Sequence, residues 1–361
     1  MMIHDGFNTD EKSRQVFDGL IPHVAGSGLG FFNHRFASPT RHSTEHDEHA
    51  YPTDLFPFSY ETQVDPVSGR RGGLLERARA KGHVPKIMHI QTAGEYWHRS
   101  GSLTHTDPRG ERDAVQPPEV RFYALGGARH GPGDGRPRPA STGQLPQNPT
   151  DYRPFLRALL LAMEAWIRDG VEPPPSVYPR IADGTLVGWR EAESGWSALP
   201  AVRYPEAIQE PSWYDYGPDF EARRVITRHP PEARELYRVL VPRHGPDNNG
   251  QGMLQAPTAK VPVATFTGWN LRAPRLGAPQ ALLRVAGGYI PFPRTAEERR
   301  TTGDPRPSLE EKYGTFERYF SQFEAAVREL VGQRYLLEED LNFWLQLARE
   351  HRVLFSESGY R

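Results

Sequence analysis

Three short apolar runs stand out in the first part of the chain, at residues 17–26, 84–91 and 120–127. Each is bounded by polar residues or glycine and is too short for a buried helix, so each predicts a buried β-strand. The second run leads into Glu95, and the third leads into His130. The pattern therefore predicts an α/β sheet in which an acid and a histidine follow two of the strands.

Helical spacing of apolar residues is clearest at 152–170, where Asp151 can cap the amino end and Gly170 can end the helix. Pro173 and the prolines after it prevent any continuation. Other helices are predicted at 74–81, 308–313, 319–330 and 338–352, and other strands at 185–189 and 261–270. Residues 171–260, between the long helix and the strand at 261–270, are predicted to form a loop-rich excursion over the sheet.

An irregular, aromatic stretch occupies residues 27–70, where Pro and polar residues interrupt the apolar ones. A loop this long inside a compact domain is usually functional, so we expect residues 27–83 to form a lid or a pocket wall. Phe31 and Tyr51, with Tyr96 and Trp97 from the segment after the second strand, are the candidate pocket residues.

Composition narrows the functional classes. The chain has 361 residues, a formal net charge of −1 and no cysteine. Mixed charge gives no broad field for nucleic acid or an anionic membrane surface, and the lack of cysteine excludes disulfides and a thiolate nucleophile. No apolar run is long enough for a membrane span, and no signal peptide is visible. The compartment is undetermined, with the cytoplasm as the default, and so is the oligomeric state.

Glu95 and His130 are the candidate catalytic residues. In an open α/β sheet, functional groups lie on loops just after the carboxyl ends of the strands, and both residues are in that place. An acid followed by a histidine is the order found in the last part of a Ser-acid-His hydrolase sheet. The acid would hold one ring nitrogen, and the other would take a proton from a serine hydroxyl. Spacing alone leaves open a surface glutamate and a loop histidine.

A second candidate is the cluster of His42, His46 and His49, whose spacing would place all three on one face of a helix able to bind Zn²⁺. No apolar periodicity supports a helix there, and Pro39 and Pro52 flank the cluster. A solvated polar loop is the competing interpretation. No cofactor is predicted elsewhere.

A serine nucleophile is not visible. The required strand-to-helix turn has small residues two before and two after the serine, and no G-x-S-x-G occurs in the chain. The candidates Ser27, Ser100, Ser102 and Ser212 lack that context.

Several longer motifs extend across nearly the whole chain. They are DGFNTDE at 5–11, VFDGLIPHVAG at 16–26, FNHRF at 32–36, YPTDLFPF at 51–58, EYW at 95–97, TGWN at 267–270, YIPF at 289–292 and GDPRPSLEE at 303–311. In these motifs the chain resembles a bacterial family of α/β-hydrolase domain-containing proteins. The resemblance implies a serine hydrolase acting on carboxylic esters of a small molecule, with Glu95 as the acid and His130 as the base.

The chain also departs from the pattern of the family that it resembles. The family carries a G-x-S-x-(S/T)-G-R-like elbow just before the segment that matches residues 2–8. We therefore expect the serine, the oxyanion-hole loop and the first strands to lie upstream of Met1. The residue before the base, often glutamine in the family, is Arg129 here.

The expected architecture is a partial α/β-hydrolase sheet made of the last three strands. Residues 1–170 would hold this part of the core, and residues 171–361 its continuation with C-terminal helices. Without the serine, this chain alone is expected to be inactive. The alternatives are a non-catalytic ligand-binding protein or inactive fragment, and a metal-dependent enzyme using the histidine cluster.

Overall fold

The computed structural model describes residues 2–28, 55–223 and 225–355. The strands are β1 (Gly19–Leu20), β2 (Gln63–Val64), β3 (Arg71–Gly72), β4 (Lys86–Thr92), β5 (Val120–Gly126), β6 (Leu186–Gly188), β7 (Ser212–Asp215), β8 (Glu232–Leu236), β9 (Leu240–Pro242), β10 (Leu254–Gln255), β11 (Ala264–Phe266) and β12 (Tyr289–Pro291). The α-helices are α1 (Glu76–Ala80), α2 (Ala93–His98), α3 (Arg153–Asp169), α4 (Glu191–Ser194), α5 (Pro218–Arg223), α6 (Pro257–Lys260), α7 (Ala296–Thr302), α8 (Leu309–Tyr313), α9 (Phe316–Gly332) and α10 (Leu341–Glu350). Short 3₁₀ helices lie at Gly101–Thr104, Pro274–Leu276, Glu338–Asp340 and His351–Phe355.

A parallel sheet in the order β1-β4-β5-β10 forms the centre of the fold. The three predicted strands are therefore confirmed as neighbours, although β1 is shorter than the apolar run that predicted it. That run continues as a single parallel bridge from His23 to Ile90. β10 extends the sheet beyond β5 and was not predicted. The expectation that these strands are the last part of a larger sheet stays a prediction.

The two long strands are buried on both faces because they lie in the middle of the sheet. Side chains on one face join a large apolar cluster with α3, α9 and α10. Its members include Met88, Ile90, Tyr123, Leu125, Leu159, Met163, Trp166, Phe323 and Trp344. On the opposite face, Ala124 joins a second, aromatic-rich cluster that contains Trp97 and Trp269. Apolar clusters therefore pack against both faces of the sheet.

The long helix predicted at 152–170 is confirmed as α3. Asp151 accepts a hydrogen bond from the backbone N–H of Arg153 at 3.0 Å, and Gly170 ends the helix with φ +68°. A left-handed backbone at that position favours glycine, which has no Cβ. The buried face of α3 carries Trp166, which packs over the sheet beneath the charged ends of Lys86 and Arg121.

The other predicted elements are confirmed, with shifts at their ends. Helices occur as α1, α8, α9 and α10, and the strands at 185–189 and 261–270 are reduced to β6 and β11. At α8, the Ser308 hydroxyl accepts a hydrogen bond from the N–H of Glu311, and the Glu311 carboxylate accepts from the N–H of Ser308, which is a capping box. Among the described residues, no helix is long and apolar enough to cross a membrane.

Two organisational predictions remain predictions. The first is the division of the chain into two parts near residue 170. The larger apolar cluster contains residues from both parts, such as Leu159 and Phe323. The lid is the other, since residues 29–54 lie outside the described part of the chain. Within the described remainder, residues 55–60 are buried, and the ring of Phe58 lies 4.8 Å from that of Tyr237.

Candidate active site

Glu95 is positioned by the junction between β4 and α2. β4 ends at Thr92, whose hydroxyl accepts a hydrogen bond from the N–H of Gly94 at 3.2 Å. The Glu95 carboxylate reaches back and accepts from the N–H and the hydroxyl of Thr92, at 2.7 and 2.6 Å. This reciprocal capping box fixes one oxygen, Oε2, and leaves Oε1 available for another donor.

The Glu95 side chain is fully buried, with 0 % exposure. Burial by itself raises the pKa of a carboxyl group because it penalises the charged form. Here the hydrogen bond and the charge of His130, together with the two hydrogen bonds from Thr92, outweigh burial and hold the pKa of Glu95 below its ordinary value. Glu95 is therefore a carboxylate at neutral pH.

His130 follows the end of β5 by a tight turn. Gly127 has φ +67°, and a Cβ there would lie 2.5 Å from the Cβ of Ala259, so the turn requires glycine. The amide of Asn148 donates to the carbonyl of Gly127 at 3.1 Å, and the Tyr152 hydroxyl donates to the carbonyl of His130. Two side-chain hydrogen bonds thus hold the backbone that carries the imidazole.

The two residues meet at the carboxyl edge of the sheet. Nδ1 of His130 lies 2.6 Å from Oε1 of Glu95. A carboxylate accepts hydrogen bonds, so Nδ1 carries the proton, and Nε2 of the neutral ring keeps its lone pair. Within the described residues, Nε2 has no hydrogen-bond partner, and 27 % of the side chain is exposed. This arrangement can accept a proton at Nε2 and stabilise the resulting imidazolium.

Close backbone approach brings α2 and the His130 turn together. A Cβ on Gly94 would lie 3.0 Å from the backbone nitrogen of His130. A Cβ on Gly268 would lie 2.5 Å from the carbonyl oxygen of Ala93, the first residue of α2. Gly268 belongs to the TGWN motif, which therefore packs directly behind the helix that carries Glu95.

Replacement of Gly268 by alanine is expected to lower the free energy of unfolding by about 1–3 kcal/mol, since a buried methyl group must displace backbone. Denaturant unfolding measures the change. Gly332→Ala is the matched control, because a Cβ at the end of α9 meets nothing within 4 Å. Equal unfolding midpoints for Gly268→Ala and the unmodified protein would show that α2 is less tightly packed than these distances imply.

A third strand end contributes a residue that was not predicted. His23 follows β1, and its ring packs edge-on against that of Tyr152 with centroids 5.6 Å apart. Burial lowers the pKa of His23, and the charges of Glu95 and His130 act on it in opposite directions. Its Nε2 is buried without a hydrogen-bond partner among the described residues. A histidine at the end of the first apolar run was the available signal.

Two of the four predicted pocket residues, Tyr96 and Trp97, lie in the described part of the chain. Tyr96 is buried, and its hydroxyl lies 3.0 Å from Nε2 of His105. Trp97 is buried in the aromatic cluster, with its ring 6.0 Å from that of Trp269. Phe31 and Tyr51 lie outside the described residues. The pocket assignment stays a prediction.

The histidine cluster proposed as a metal site, His42, His46 and His49, also lies outside the described residues. In ranges 2–28, 55–223 and 225–355, no group of three or more His, Asp or Glu side chains is arranged to hold a metal ion.

Three of the four serines considered as nucleophiles are hydrogen-bonded to other groups. The hydroxyl of Ser27 donates to the carbonyl of Arg99, and that of Ser100 donates to the carbonyl of Gln209 at 2.8 Å. Ser102 accepts from the N–H of Leu240 at 2.9 Å, and Ser212 is buried in β7. Among the described residues, no hydroxyl group hydrogen-bonds to the His130 ring.

Sequence reasoning also missed the groups that support the pair. Thr92 could have been found, because T-x-x-E at the start of a helix is a capping-box pattern. Asn148 and Tyr152 gave no such signal, since each reaches the His130 turn across about twenty residues of chain.

The chain matches a known protein family over most of its length. A family model described as an alpha/beta hydrolase domain matches residues 2–345, which includes the sheet, Glu95 and His130 and ends within α10. No curated protein and no solved structure matches the chain.

Proposed function

Because this chain belongs to the alpha/beta hydrolase domain family, we propose that it is a serine-type hydrolase of carboxylic esters in which His130 is the general base and Glu95 orients it. The observation that carries the proposal is the 2.6 Å contact between His130 Nδ1 and Glu95 Oε1, with Nε2 left without a partner in the described residues. A buried carboxylate held on one ring nitrogen and an open second nitrogen is the geometry that base catalysis requires.

In the proposed reaction, Nε2 of His130 removes the proton of a serine hydroxyl while the serine oxygen attacks the ester carbonyl. The positive charge that develops on the imidazole is stabilised by the Glu95 carboxylate. Nε2 then returns the proton to the departing alkoxide, leaving an acyl-enzyme. A water molecule, activated by the same nitrogen, releases the acid and restores the serine.

The serine of this proposal lies outside the described residues, and we place it upstream of Met1, as the family resemblance implies. What supports this placement is that Ser27, Ser100 and Ser102 are all hydrogen-bonded away from His130. It follows that the 361-residue chain alone should not turn over esters.

The test compares two purified proteins on p-nitrophenyl acetate and butyrate: residues 1–361, and the same chain preceded by its in-frame upstream residues. We expect turnover and labelling by a fluorophosphonate only in the longer form. A closed upstream reading frame, or His130-dependent turnover by residues 1–361, would refute the placement of the serine. Inactivity of both forms would favour the non-catalytic ligand-binding alternative.

A further inference from the structure

A polar pocket of about 260 Å³ lies beside the candidate catalytic histidine and is rich in arginine. Its lining includes four arginines, Arg129, Arg136, Arg138 and Arg153. Arg129 directly precedes His130 in the chain. Nothing in the proposed ester chemistry uses these side chains.

Three of the four guanidinium groups are neutralised by carboxylates. Arg136 forms a two-pronged pair with Glu350, at 3.0 and 2.8 Å. Arg138 pairs with Asp134 at 2.5 Å, and Arg153 pairs with Asp151 through two nitrogens, at 2.8 and 2.7 Å. These pairs cancel the charges of the three guanidinium groups locally.

Arg129 differs from the other three. Its Nε donates to the carbonyl of Asn148 at 3.1 Å, and Nη2 donates to the carbonyl of Pro132 at 3.4 Å. Within the described residues, no carboxylate pairs with it. Burial lowers the pKa of Arg129, whereas hydrogen bonds to carboxylates raise the pKa of Arg136, Arg138 and Arg153. Asp134 also lines the pocket and its charge raises the pKa of Arg129, but its carboxylate is paired with Arg138. Arg129 is therefore a half-buried cation on the pocket wall that has no carboxylate in direct contact among the described residues.

The wall of the pocket is held in place by backbone contacts. Gly133 donates to the carbonyl of Thr150 and Gly135 donates to that of Pro149, both at 2.8 Å. A Cβ on Gly133 would lie 2.1 Å from the Pro149 carbonyl oxygen, so only glycine allows the two segments to lie this close. The pocket is thus built into the fold and does not depend on flexible side chains alone.

We propose that this pocket, named here the Arg129 pocket, binds a small oxyanion, a carboxylate or phosphate group, through the Arg129 guanidinium. A guanidinium offers paired N–H donors that match the two oxygens of such a group. The anion supplies the direct contact with a negative group that Arg129 lacks among the described residues, and half-burial strengthens the interaction relative to one in open solvent.

The oxyanion has two sources that the chemistry does not separate. It is either an acidic group on the ester substrate or a free anion. The second part of the test separates them, and only that part rests on the proposed hydrolase function.

The first part uses residues 1–361 and titrates inorganic phosphate and succinate by calorimetry at constant ionic strength. We expect millimolar binding of at least one anion, weakened about tenfold or more in Arg129→Gln, since a charge-assisted pair is lost. Arg168→Gln is the matched control, because Arg168 is exposed on α3 and paired with Glu164. Arg129→Lys keeps the positive charge but lacks the paired N–H donors of a guanidinium, so it should bind the anion with intermediate affinity.

Thermal unfolding of each variant shows that it is folded before binding is compared. If Arg129→Gln does not fold, the comparison of Arg129→Lys with the unmodified protein decides the proposal. No binding by the unmodified protein, or equal affinity in the unmodified protein, Arg129→Gln and Arg168→Gln, would overturn it. Neither result depends on turnover, so failure here leaves the hydrolase proposal standing.

The second part uses the longer, serine-containing form with p-nitrophenyl hydrogen succinate and p-nitrophenyl butyrate. A substrate role predicts that Arg129→Gln raises KM for the acidic ester about tenfold and leaves KM for the neutral ester unchanged. If phosphate binding is lost while both KM values are unchanged, the ligand of the Arg129 pocket is a free anion.

Discussion

Replacement of His130 by alanine is expected to lower kcat/KM for p-nitrophenyl esters by about a thousandfold or more in the serine-containing form of the protein. Nε2 is the only ring nitrogen left to accept the hydroxyl proton, since Nδ1 is committed to Glu95. The loss should appear in kcat, because the imidazole acts in the transition state and does not bind the ester.

His229→Ala is the matched control for this experiment. His229 is exposed and lies in the excursion between β7 and β8, so the same substitution there should leave kcat/KM within about a factor of two. Retention of more than a tenth of the activity in His130→Ala would show that another group acts as the base. His23, the second imidazole at this sheet edge, would then be the next residue to replace.

Replacement of Glu95 by alanine is expected to produce the largest loss of stability near the site, about 2–4 kcal/mol in the free energy of unfolding. The N–H and hydroxyl of buried Thr92 lose their acceptor, and Nδ1 of His130 loses its own. Activity should fall as well, because the imidazole is no longer held in the required tautomer. Urea unfolding and ester turnover measure the two effects separately.

Glu95→Gln distinguishes charge from packing. The amide keeps the volume and can still accept from Thr92, so we expect a smaller loss of stability than in Glu95→Ala, with a loss of activity that remains large. A Glu95→Gln protein as active as the unmodified one would exclude the carboxylate from the mechanism.

The Glu95 pair also predicts a pH dependence of stability. The pKa of Glu95 is lower in the folded protein than its ordinary value of 4.5, so the folded state favours the carboxylate. Its contribution to stability is therefore fully present above the unfolded pKa and is lost as pH falls through the folded pKa. The stability difference between the unmodified protein and Glu95→Gln should be greatest above about pH 5 and should shrink below pH 4.5. A difference that stays constant with pH would show that folding does not lower the pKa of Glu95.

The sequence was sufficient for features that depend on near neighbours. Strands at 84–91 and 120–127 follow from apolar runs whose length suits a buried strand. The helix at 152–170 follows from its 3.6-residue periodicity and from the residues that begin and end it. Glu95 and His130 were selected because each comes just after such a strand, and the parallel pairing of β4 with β5 then places both at one sheet edge.

Features that depend on distant segments were decided only by the tertiary structure. The sequence could not show that Trp97 is buried, because its neighbours in the aromatic cluster come from residues more than a hundred positions away. Nor could it show that Gly268 packs against the first residue of α2. It also could not show that Arg129, unlike Arg136 and Arg138, has no carboxylate in contact among the described residues.

The same distinction applies within the candidate site. Local sequence determined that an acid follows one strand and a histidine the next, because strand and helix formation depends on residues a few positions apart. The 2.6 Å contact between Glu95 and His130 also required contacts between segments that are distant in the sequence. It needed glycine at two close approaches, the Thr92 cap, and the anchoring of the His130 turn by Asn148 and Tyr152. Those contacts form only when the whole sheet and both apolar clusters pack together, so only the folded chain could bring the carboxylate and the imidazole within hydrogen-bonding distance.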